Sequence, residues 1–316
     1  MNLVRSKFLQ LGAATSLVAA SGPARAGAQD APVIRLALTP NDSYAEGLYG
    51  QDTGIFKNAG LNVEVNVLAS GAAIVAAVAA GAIDIGITNA LPLANAVAHG
   101  VPLIYLCSGG MLNLDEVGLC VAIDSPIKTA KDFSGKTMGS SALTDVNTIA
   151  MQAWLDQNGG DATALKFVEI PFPQMAAALK RGTVDAAPIV EPALTIAKGE
   201  GTIRIMSPPL YSVYGPKFML GGWFSSTSWL EKNRDLARRF VAAIYETARW
   251  ANSHPDESSA ILAKYAKLEP ALLKKMARVP YGTSISPDMI QRTLDLAYKY
   301  RAIDRAINAS TLIARI

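Results

Sequence analysis

The sequence has 316 residues, of which 50% are hydrophobic and 17% are charged, with 29 Lys and Arg residues against 26 Asp and Glu residues. This composition predicts a globular protein, because a chain of this length and hydrophobicity can bury one or two full cores. It excludes a disordered chain, and the lack of basic blocks argues against nucleic acid or an anionic membrane surface as a partner.

The first 26 residues have the pattern of a secretory signal peptide. Arg5 and Lys7 precede a mostly apolar run, and an Ala-x-Ala cleavage site follows at residues 24–26. The run is too short and too rich in Ala for a membrane span. The leader holds three basic residues and no acid, so the mature chain, starting near Gly27, is formally neutral. We expect a soluble protein exported to the periplasm, by the general secretory route because the second arginine of a twin-arginine motif is missing.

The first predicted strand covers residues 33–38, and a polar loop follows it. The loop contains Asn41 and Ser43, and a helix is predicted to begin near Tyr44. Small ligands bind beyond the carboxyl ends of the strands in α/β sheets. These three residues are therefore candidate ligand contacts.

A second predicted strand at residues 62–68 leads to an Ala-rich helix that Ser70 and Gly71 open. Ser70 has the side chain of an N-cap, and the exposed N–H groups at a helix start suit an anionic ligand group. Both residues are candidate ligand contacts, although Ser70 as a plain cap needs no ligand.

A pattern at residues 79–89 returns at residues 180–190. In each copy an apolar helix-like run ends at a Gly suited to a left-handed cap, an Asp marks the turn, and a short apolar run follows as a strand. Such turns recur in any α/β protein, but two copies far apart predict two similar α/β lobes with a ligand cleft between their strand ends. Asn89 ends the first copy and Glu191 follows the second, so both are candidate ligand contacts.

Two cysteines, Cys107 and Cys120, lie in separate apolar strand-like runs. An oxidising compartment permits a disulfide between them. Two buried free thiols are the alternative, because strand geometry rather than sequence spacing decides whether the sulfurs meet.

Residues 124–139 contain Asp-Ser-Pro-Ile, followed by Lys-Asp-Phe-Ser-Gly-Lys-Thr-Met-Gly. This stretch resembles the start of the second lobe in ABC-transporter solute-binding proteins of the sulfonate, taurine, nitrate and thiamine-precursor type. Residues 54–63 are similar to that family's Gly-hydrophobic-Phe and Gly-Leu-x-Val segment, and residues 81–86 to its Gly-x-hydrophobic-Asp-hydrophobic-Gly motif. The order and spacing of these motifs across residues 33–206 carry the resemblance.

The resemblance implies the type II periplasmic binding protein fold, in which two α/β lobes joined by crossing strands close on a small solute like a hinge. After a signal peptide at residues 1–26, we expect the first lobe to comprise residues 27–118 and a mainly helical region at 224–316, with the second lobe at 119–223. The implied partners are a small-molecule solute and the membrane subunits of an ABC permease. We expect a monomer with no cofactor and no nucleic-acid partner.

The second lobe and the return crossing supply further candidate ligand contacts. Ser140 and Ser141 follow a predicted strand, and Thr144 lies just ahead of a helix predicted at residues 146–157. Trp223 lies in the return crossing beside paired glycines, where it either faces the cleft or packs in the core.

Catalytic motifs are missing from the sequence. Residues 135–137, Gly-Lys-Thr, do not form a phosphate-binding loop, because Ala130 occupies the position of the earlier Gly. His99 and His254 are isolated, the cysteines complete no metal site, and no Gly-x-Ser-x-Gly elbow is present. Two hypotheses follow. The first is a solute receptor, which the export signal favours, and the second is an enzyme on the same fold, since the resemblance extends to catalytic relatives in thiamine-precursor and menaquinone pathways.

The solute class is predicted from the helix starts after residues 70–71 and 140–141, which aim N–H groups and hydroxyls at an anionic group. This favours a small organic anion of the sulfonate or carboxylate type. No arginine lies in the strand-end loops, so hydrogen bonds would do most of the stabilising. The acids Asp42, Asp145 and Glu191 keep an amine-bearing or aminopyrimidine solute as the alternative.

Overall fold

The computed structural model describes residues 32–316, so the predicted signal peptide lies outside the described residues. The strands in chain order are β1 (Val33–Leu38), β2 (Asn62–Val67), β3 (Ile85–Thr88), β4 (Leu103–Ser108), β5 (Val117–Ala122), β6 (Thr137–Ser140), β7 (Lys166–Glu169), β8 (Ala186–Val190), β9 (Ile203–Ile205) and β10 (Gly222–Ser226). The α-helices are α1 (Glu46–Asp52), α2 (Ile55–Asn58), α3 (Gly71–Ala79), α4 (Ala90–Ala98), α5 (Val146–Gln157), α6 (Phe172–Lys180), α7 (Ala193–Gly199), α8 (Thr227–Lys232), α9 (Arg234–Ser253), α10 (Pro255–Ala266), α11 (Pro270–Leu273) and α12 (Gln291–Lys299). None of these described helices has the length and apolar character that a bilayer crossing requires.

Two five-stranded sheets organise the chain, with the orders β2-β1-β3-β10-β4 and β7-β6-β8-β5-β9. In the first sheet β1 runs parallel to β2 and β3, and β10 runs antiparallel to β3 and β4. In the second sheet β6 runs parallel to β7 and β8, and β5 runs antiparallel to β8 and β9. Each sheet with its helices is one α/β lobe, and both lobes have the same topology. The predicted two-lobed α/β fold class is confirmed.

The chain crosses between the lobes at residues 109–116 and again at residues 206–221. The two crossings lie side by side, because the backbone N–H of Leu112 donates a hydrogen bond to the carbonyl of Phe218 at 2.9 Å. The strands β5 and β10, which follow the crossings, both begin slightly ahead of the boundaries predicted for the lobes. Paired crossings leave the lobes connected along one edge of the cleft.

The repeated sequence pattern forms the same turn in both lobes. In each copy the helix ends at a glycine with positive φ, a conformation that glycine adopts without a Cβ clash. The carboxylate of Asp84 accepts a hydrogen bond from the backbone N–H of Arg35 in β1, and that of Asp185 accepts one from Thr137 in β6, both at 2.8 Å. The backbone N–H of each Asp donates in return to the carbonyl of the same strand residue. Each aspartate therefore fixes its turn to the middle parallel strand of its sheet.

The long helix α9 packs an apolar face against the first lobe. Phe240 on this face is fully buried, stacks on Phe56 of α2 with ring centroids 6.1 Å apart, and meets Trp223 of β10 edge-on at 5.7 Å. Burying a side chain of this size contributes about 1.5–3 kcal/mol. The three rings join α2, α9 and β10 into one core.

The sequence predicts that the C-terminal helices pack on the first lobe, and this is true of α9 and α10, which contact α1. Helix α12 differs, because it contacts both α4 of the first lobe and α5 of the second. Lys299 of α12 and the adjacent Tyr300 donate hydrogen bonds to Asp156 of α5 at 2.9 and 2.7 Å. The C-terminal region therefore connects the lobes at a place separate from the crossings.

The two cysteines are buried free thiols. Cys107 lies in β4 and Cys120 in β5, so their sulfurs belong to different sheets. Burial raises the pKa of both thiols, which leaves them protonated and unreactive at neutral pH.

Candidate functional site

A cavity of about 390 Å³ lies between the two lobes, at the carboxyl ends of their parallel strands. That volume suits a small organic molecule. Aromatic and aliphatic side chains form much of its wall, among them Phe172, Val190, Phe218 and Leu262. The polar residues that line it are Asn41, Asp42, Ser43, Tyr44, Asn89, Glu116, Asn147, Glu191 and Tyr211.

The loop after β1 presents polar groups to the cavity because it turns directly into a short 3-10 helix, Asp42–Tyr44. Ser43 Oγ donates a hydrogen bond to Glu116 Oε1 at 2.9 Å, which links this loop to the first crossing. Burial raises the pKa of Tyr44 to about 12, against an opposing hydrogen bond with Asn89. Tyr44 is therefore a neutral hydroxyl at neutral pH, and with Asn89 it forms one polar edge of the cavity.

Asp42 lines the cavity, but its charge is already balanced. Its Oδ1 accepts a hydrogen bond from Arg278 Nε at 2.7 Å, and its Oδ2 accepts one from the backbone N–H of Val279 at 2.8 Å. Burial raises the pKa of Asp42, and the charge of Arg278 opposes that shift. The pair connects the chain after α11 to the loop after β1 and leaves Asp42 little capacity to bind a solute.

Glu116 is a cavity residue that the sequence analysis missed. It ends the first crossing, directly ahead of β5. Its Oε2 is buried and receives no hydrogen bond from any residue between 32 and 316. Burial, assisted by the charges of Asp42 and Glu191, raises the pKa of Glu116 to about 8, against the opposing hydrogen bond from Ser43. An acid between a lobe crossing and a buried strand is the sequence signal that would have identified it.

Glu191 follows β8 and holds the turn into α7. Its carboxylate accepts hydrogen bonds from the backbone N–H and the hydroxyl of Thr195 at 3.0 and 2.8 Å. It also accepts one from the backbone N–H of Ala277 at 3.3 Å. Because Ala277 lies just after α11, this contact spans from the second lobe to the C-terminal region.

The first turn of α5 forms part of the second-lobe wall. Asn147 in this turn is buried, and its Oδ1 accepts a hydrogen bond from the hydroxyl of Tyr211 at 2.7 Å. The Asn147 amide nitrogen is not engaged by that bond, so the group offers a donor beside the apolar ring of Phe172.

The structure brings together five of the predicted ligand contacts, and these residues are Asn41, Ser43, Tyr44, Asn89 and Glu191. Ser70 and Gly71 lie outside the cavity lining. Ser70 is exposed and caps α3 by accepting a hydrogen bond from the backbone N–H of Ala73 at 3.2 Å. Gly71 backs closely onto Thr88, where a Cβ would overlap the threonine hydroxyl. These are local structural roles.

The candidates at residues 140–144 also lie outside the cavity lining. The hydroxyl of Ser140 is buried and donates to the carbonyl of Ala142 at 2.9 Å, Ser141 is hydrogen-bonded to Asp145, and Thr144 is exposed. The predicted role of residues 140–141 at a helix start is corrected, because α5 begins at Val146, as predicted, and Asp145 rather than either serine is its N-cap. A carboxylate already occupies that helix start, so an anionic solute gains no favourable site there.

Trp223 does not face the cleft. Its ring is fully buried in the first lobe, and Nε1 donates a hydrogen bond to Glu46 Oε2 at 2.9 Å. The prediction of a ligand contact is corrected because the side chain points from β10 toward Phe240 of α9, away from the cavity.

The cavity lining contains acidic side chains and no basic ones among the described residues. Three carboxylates line it, and within the described chain no Lys, Arg or His side chain does. Arg278 balances Asp42, whereas Glu116 and Glu191 form no ion pair with any described residue. Among residues 32–316, no group of three or more His, Cys, Asp or Glu side chains is placed to hold a metal ion. The arrangement offers hydrogen bonds and negative charge to a small molecule.

Two lobes of this topology, connected by paired crossings beside a cleft, define the periplasmic binding protein fold. The profile described as NMT1/THI5-like matches residues 41–258. The chain belongs to the NMT1/THI5-like family.

Two proteins of Escherichia coli strain K12 are similar in sequence. A putative aliphatic sulfonates-binding protein is 26% identical over 72% of this chain and 72% of its own length. A taurine-binding periplasmic protein is 24% identical over 65% of this chain and 62% of its own length. The crystal structure of the periplasmic aliphatic sulphonate binding protein SsuA from Escherichia coli superimposes with a TM-score of 0.75 at 20% identity, covering 90% of this chain and 92% of that one.

Proposed function

We propose that the chain is the solute-binding receptor of an ABC importer, which captures a small organic solute and delivers it to the permease. The observation that carries this proposal is the cavity between the lobes, lined by polar groups from both. The sulfonate-binding and taurine-binding relatives support it. The predicted leader and these relatives together favour the periplasm as the place of function. We also propose that the chain acts as a monomer.

Hinge closure is part of the proposal. The cavity is bordered by Ser43 and Asn89 of the first lobe and by Asn147 and Glu191 of the second, so one solute satisfies both sets only when the lobes approach each other. The adjacent crossings are the natural hinge. We propose the predicted division into two lobes, residues 27–118 with 224–316 and residues 119–223, with each boundary moved two residues back so that β5 and β10 stay whole in their sheets.

The solute class has two candidates. An organic anion, the first choice from the sequence, is supported by the sulfonate-binding and taurine-binding relatives, and the amides of Asn41, Asn89 and Asn147 offer donors to it. The lining supplies no cation in the described chain, so such an anion would be held by hydrogen bonds alone. The carboxylates and the ring of Phe172 favour the alternative, an amine-bearing or aminopyrimidine solute.

Native mass spectrometry of the protein purified without denaturation tests the receptor role. We expect a small molecule bound in stoichiometric amount, which is recovered from the protein without chemical change. Small-angle scattering should show a smaller radius of gyration when the cavity is filled. Conversion of the bound molecule to a product would favour the enzyme hypothesis instead. A radius of gyration that does not change at saturation would contradict hinge closure.

A further inference from the structure

Glu116 stands out among the cavity carboxylates because one of its oxygens has no partner. Oε1 accepts the hydrogen bond from Ser43, but Oε2 is buried and receives none from the described residues. A buried carboxyl oxygen without a donor costs free energy, which a ligand donor can recover. Asp42 and Glu191 differ, since donors already engage both oxygens of each carboxylate.

The surroundings of Glu116 do not supply the missing donor or a positive charge. The side chains that line the cavity around Glu116 come from the 3-10 helix after β1, the turn after β8, α5 and the 3-10 helix Leu210–Tyr214. Their polar and charged members are Asp42, Ser43, Tyr44, Asn147, Glu191 and Tyr211. The nearby cation, Arg278, is engaged by Asp42, Tyr49 and Ser259. A hydroxyl could satisfy this oxygen but not a carboxylate charge, whereas a protonated amine supplies both a donor and a positive charge, and an aminopyrimidine does so when its ring nitrogen is protonated.

We propose that Glu116 is the specificity-determining residue of the cavity, and that its free oxygen accepts a hydrogen bond from a nitrogen-bound hydrogen of the solute. The solute carries either a protonated amine or an amino group on a heterocycle, and both present the same N–H chemistry to the carboxylate. This inference rests on the proposed receptor function. It also reconciles the two solute candidates, because an amino-sulfonate and an aminopyrimidine both have such a group.

The test uses pairs of solutes that differ in the nitrogen group. Taurine is compared with ethanesulfonate, and 4-amino-5-hydroxymethyl-2-methylpyrimidine with the same ring lacking the amino group. Binding to the mature protein is measured by calorimetry and thermal shift. We expect the amino member of at least one pair to bind about tenfold or more tightly than its counterpart, the effect of a hydrogen bond to a charged group.

Two variants connect that preference to Glu116. Glu116→Gln keeps the side-chain size and an oxygen that accepts from Ser43, and it should abolish the preference for the amino member. Asp115→Asn makes the same charge change at the exposed neighbouring residue and should retain the preference. Circular dichroism and melting temperature establish that both variants fold. A third variant, Glu116→Asp, keeps a carboxylate on a shorter side chain and should retain part of the preference for the amino member.

Each outcome decides the inference. Equal or tighter binding of the amine-free members overturns it while leaving the receptor function intact, as does a Glu116→Gln variant that retains the preference. If no probe binds, the molecule that co-purifies with the protein decides the inference. A co-purified molecule without an N–H group overturns it. A co-purified molecule that has an N–H group, and that no longer co-purifies with the Glu116→Gln variant, supports it. If nothing binds or co-purifies, the receptor function itself fails, and the inference fails with it.

Discussion

The indole nitrogen of Trp223 donates a 2.9 Å hydrogen bond to Oε2 of Glu46 inside the first lobe. Glu46 is fully buried on α1, and its Oε1 has no partner among the described residues. Burial raises the pKa of Glu46 well above its usual value, against the opposing hydrogen bond from Trp223. The folded protein therefore keeps this carboxyl protonated to a higher pH than the unfolded chain does.

Replacing Glu46 by Gln should stabilise the protein in a pH-dependent way. Because the folded pKa lies above the usual 4.5, this group favours folding most below about pH 4.5 and loses that contribution as pH rises toward the folded pKa. We expect a melting temperature several degrees higher than wild type at about pH 8 and little change at about pH 4.5. Glu231→Gln, at an exposed position, is the control and should be neutral at both values. An equal gain at both pH values would contradict the ionisation argument.

The pH dependence of solute binding should follow Glu116, whose pKa is raised to about 8. A cationic solute needs the ionised carboxylate, so it must displace a proton when it binds below that pKa. We expect affinity for a cationic solute to rise about fivefold between pH 7 and pH 8, with proton release seen by calorimetry in buffers of different ionisation enthalpy. Glu116→Gln should flatten the profile. Proton uptake on binding would be the opposite of this expectation.

Removing Arg278 should destabilise the protein strongly. Its side chain and that of Asp42 are only 18% and 6% exposed, so Arg278→Ala leaves a buried carboxylate without its partner and should cost about 3–5 kcal/mol in urea unfolding. The pair of Lys264 with Asp52 is the matched control, because Lys264 is 63% exposed and its loss should cost at most about 1 kcal/mol. Similar losses for the two variants would show that burial does not govern these ion pairs.

The equivalent aspartates of the two lobes should differ in their contribution to stability. Asp84 accepts three hydrogen bonds from Arg35, from its backbone N, Nε and Nη2. Asp185 accepts one from Thr137 and meets Lys136 only at 3.5 Å. Asp84→Ala should therefore lower the free energy of unfolding by about 1–3 kcal/mol, and by more than Asp185→Ala does. Urea unfolding of the two variants measures the difference, and a larger effect at Asp185 would refute it.

Local sequence patterns predicted much of the fold. The strand predicted at residues 33–38 and the helix predicted at 146–157 have the bounds of β1 and α5. Both rest on periodicity and on a strong boundary signal, such as the Asp145 cap ahead of α5. The repeat was equally informative, because its glycine and aspartate act within one turn.

The site residues that the sequence predicted wrongly or missed are those whose surroundings come from other parts of the chain. Trp223 lies on a strand with both faces covered, so sequence alone cannot choose between the cleft and the side that α9 covers. Glu116 enters the cavity only because the first crossing passes the loop after β1, where Ser43 donates a hydrogen bond to it. Ser140 was predicted from its position at a strand end, but its hydroxyl turns back to its own loop.

The place of β10 between β3 and β4 affects the order in which the molecule is completed during synthesis. All five strands of the second sheet have been made once Ile205 emerges, whereas the first sheet still lacks the strand that joins β4 to the rest. Domains usually fold from the N-terminus onward as the chain appears. Here we expect the second lobe to close first, and a chain truncated before Gly222 should show amide protection in β5–β9 while β4 exchanges freely. The first lobe, whose strands β1–β4 are translated first, is thus completed after the second lobe.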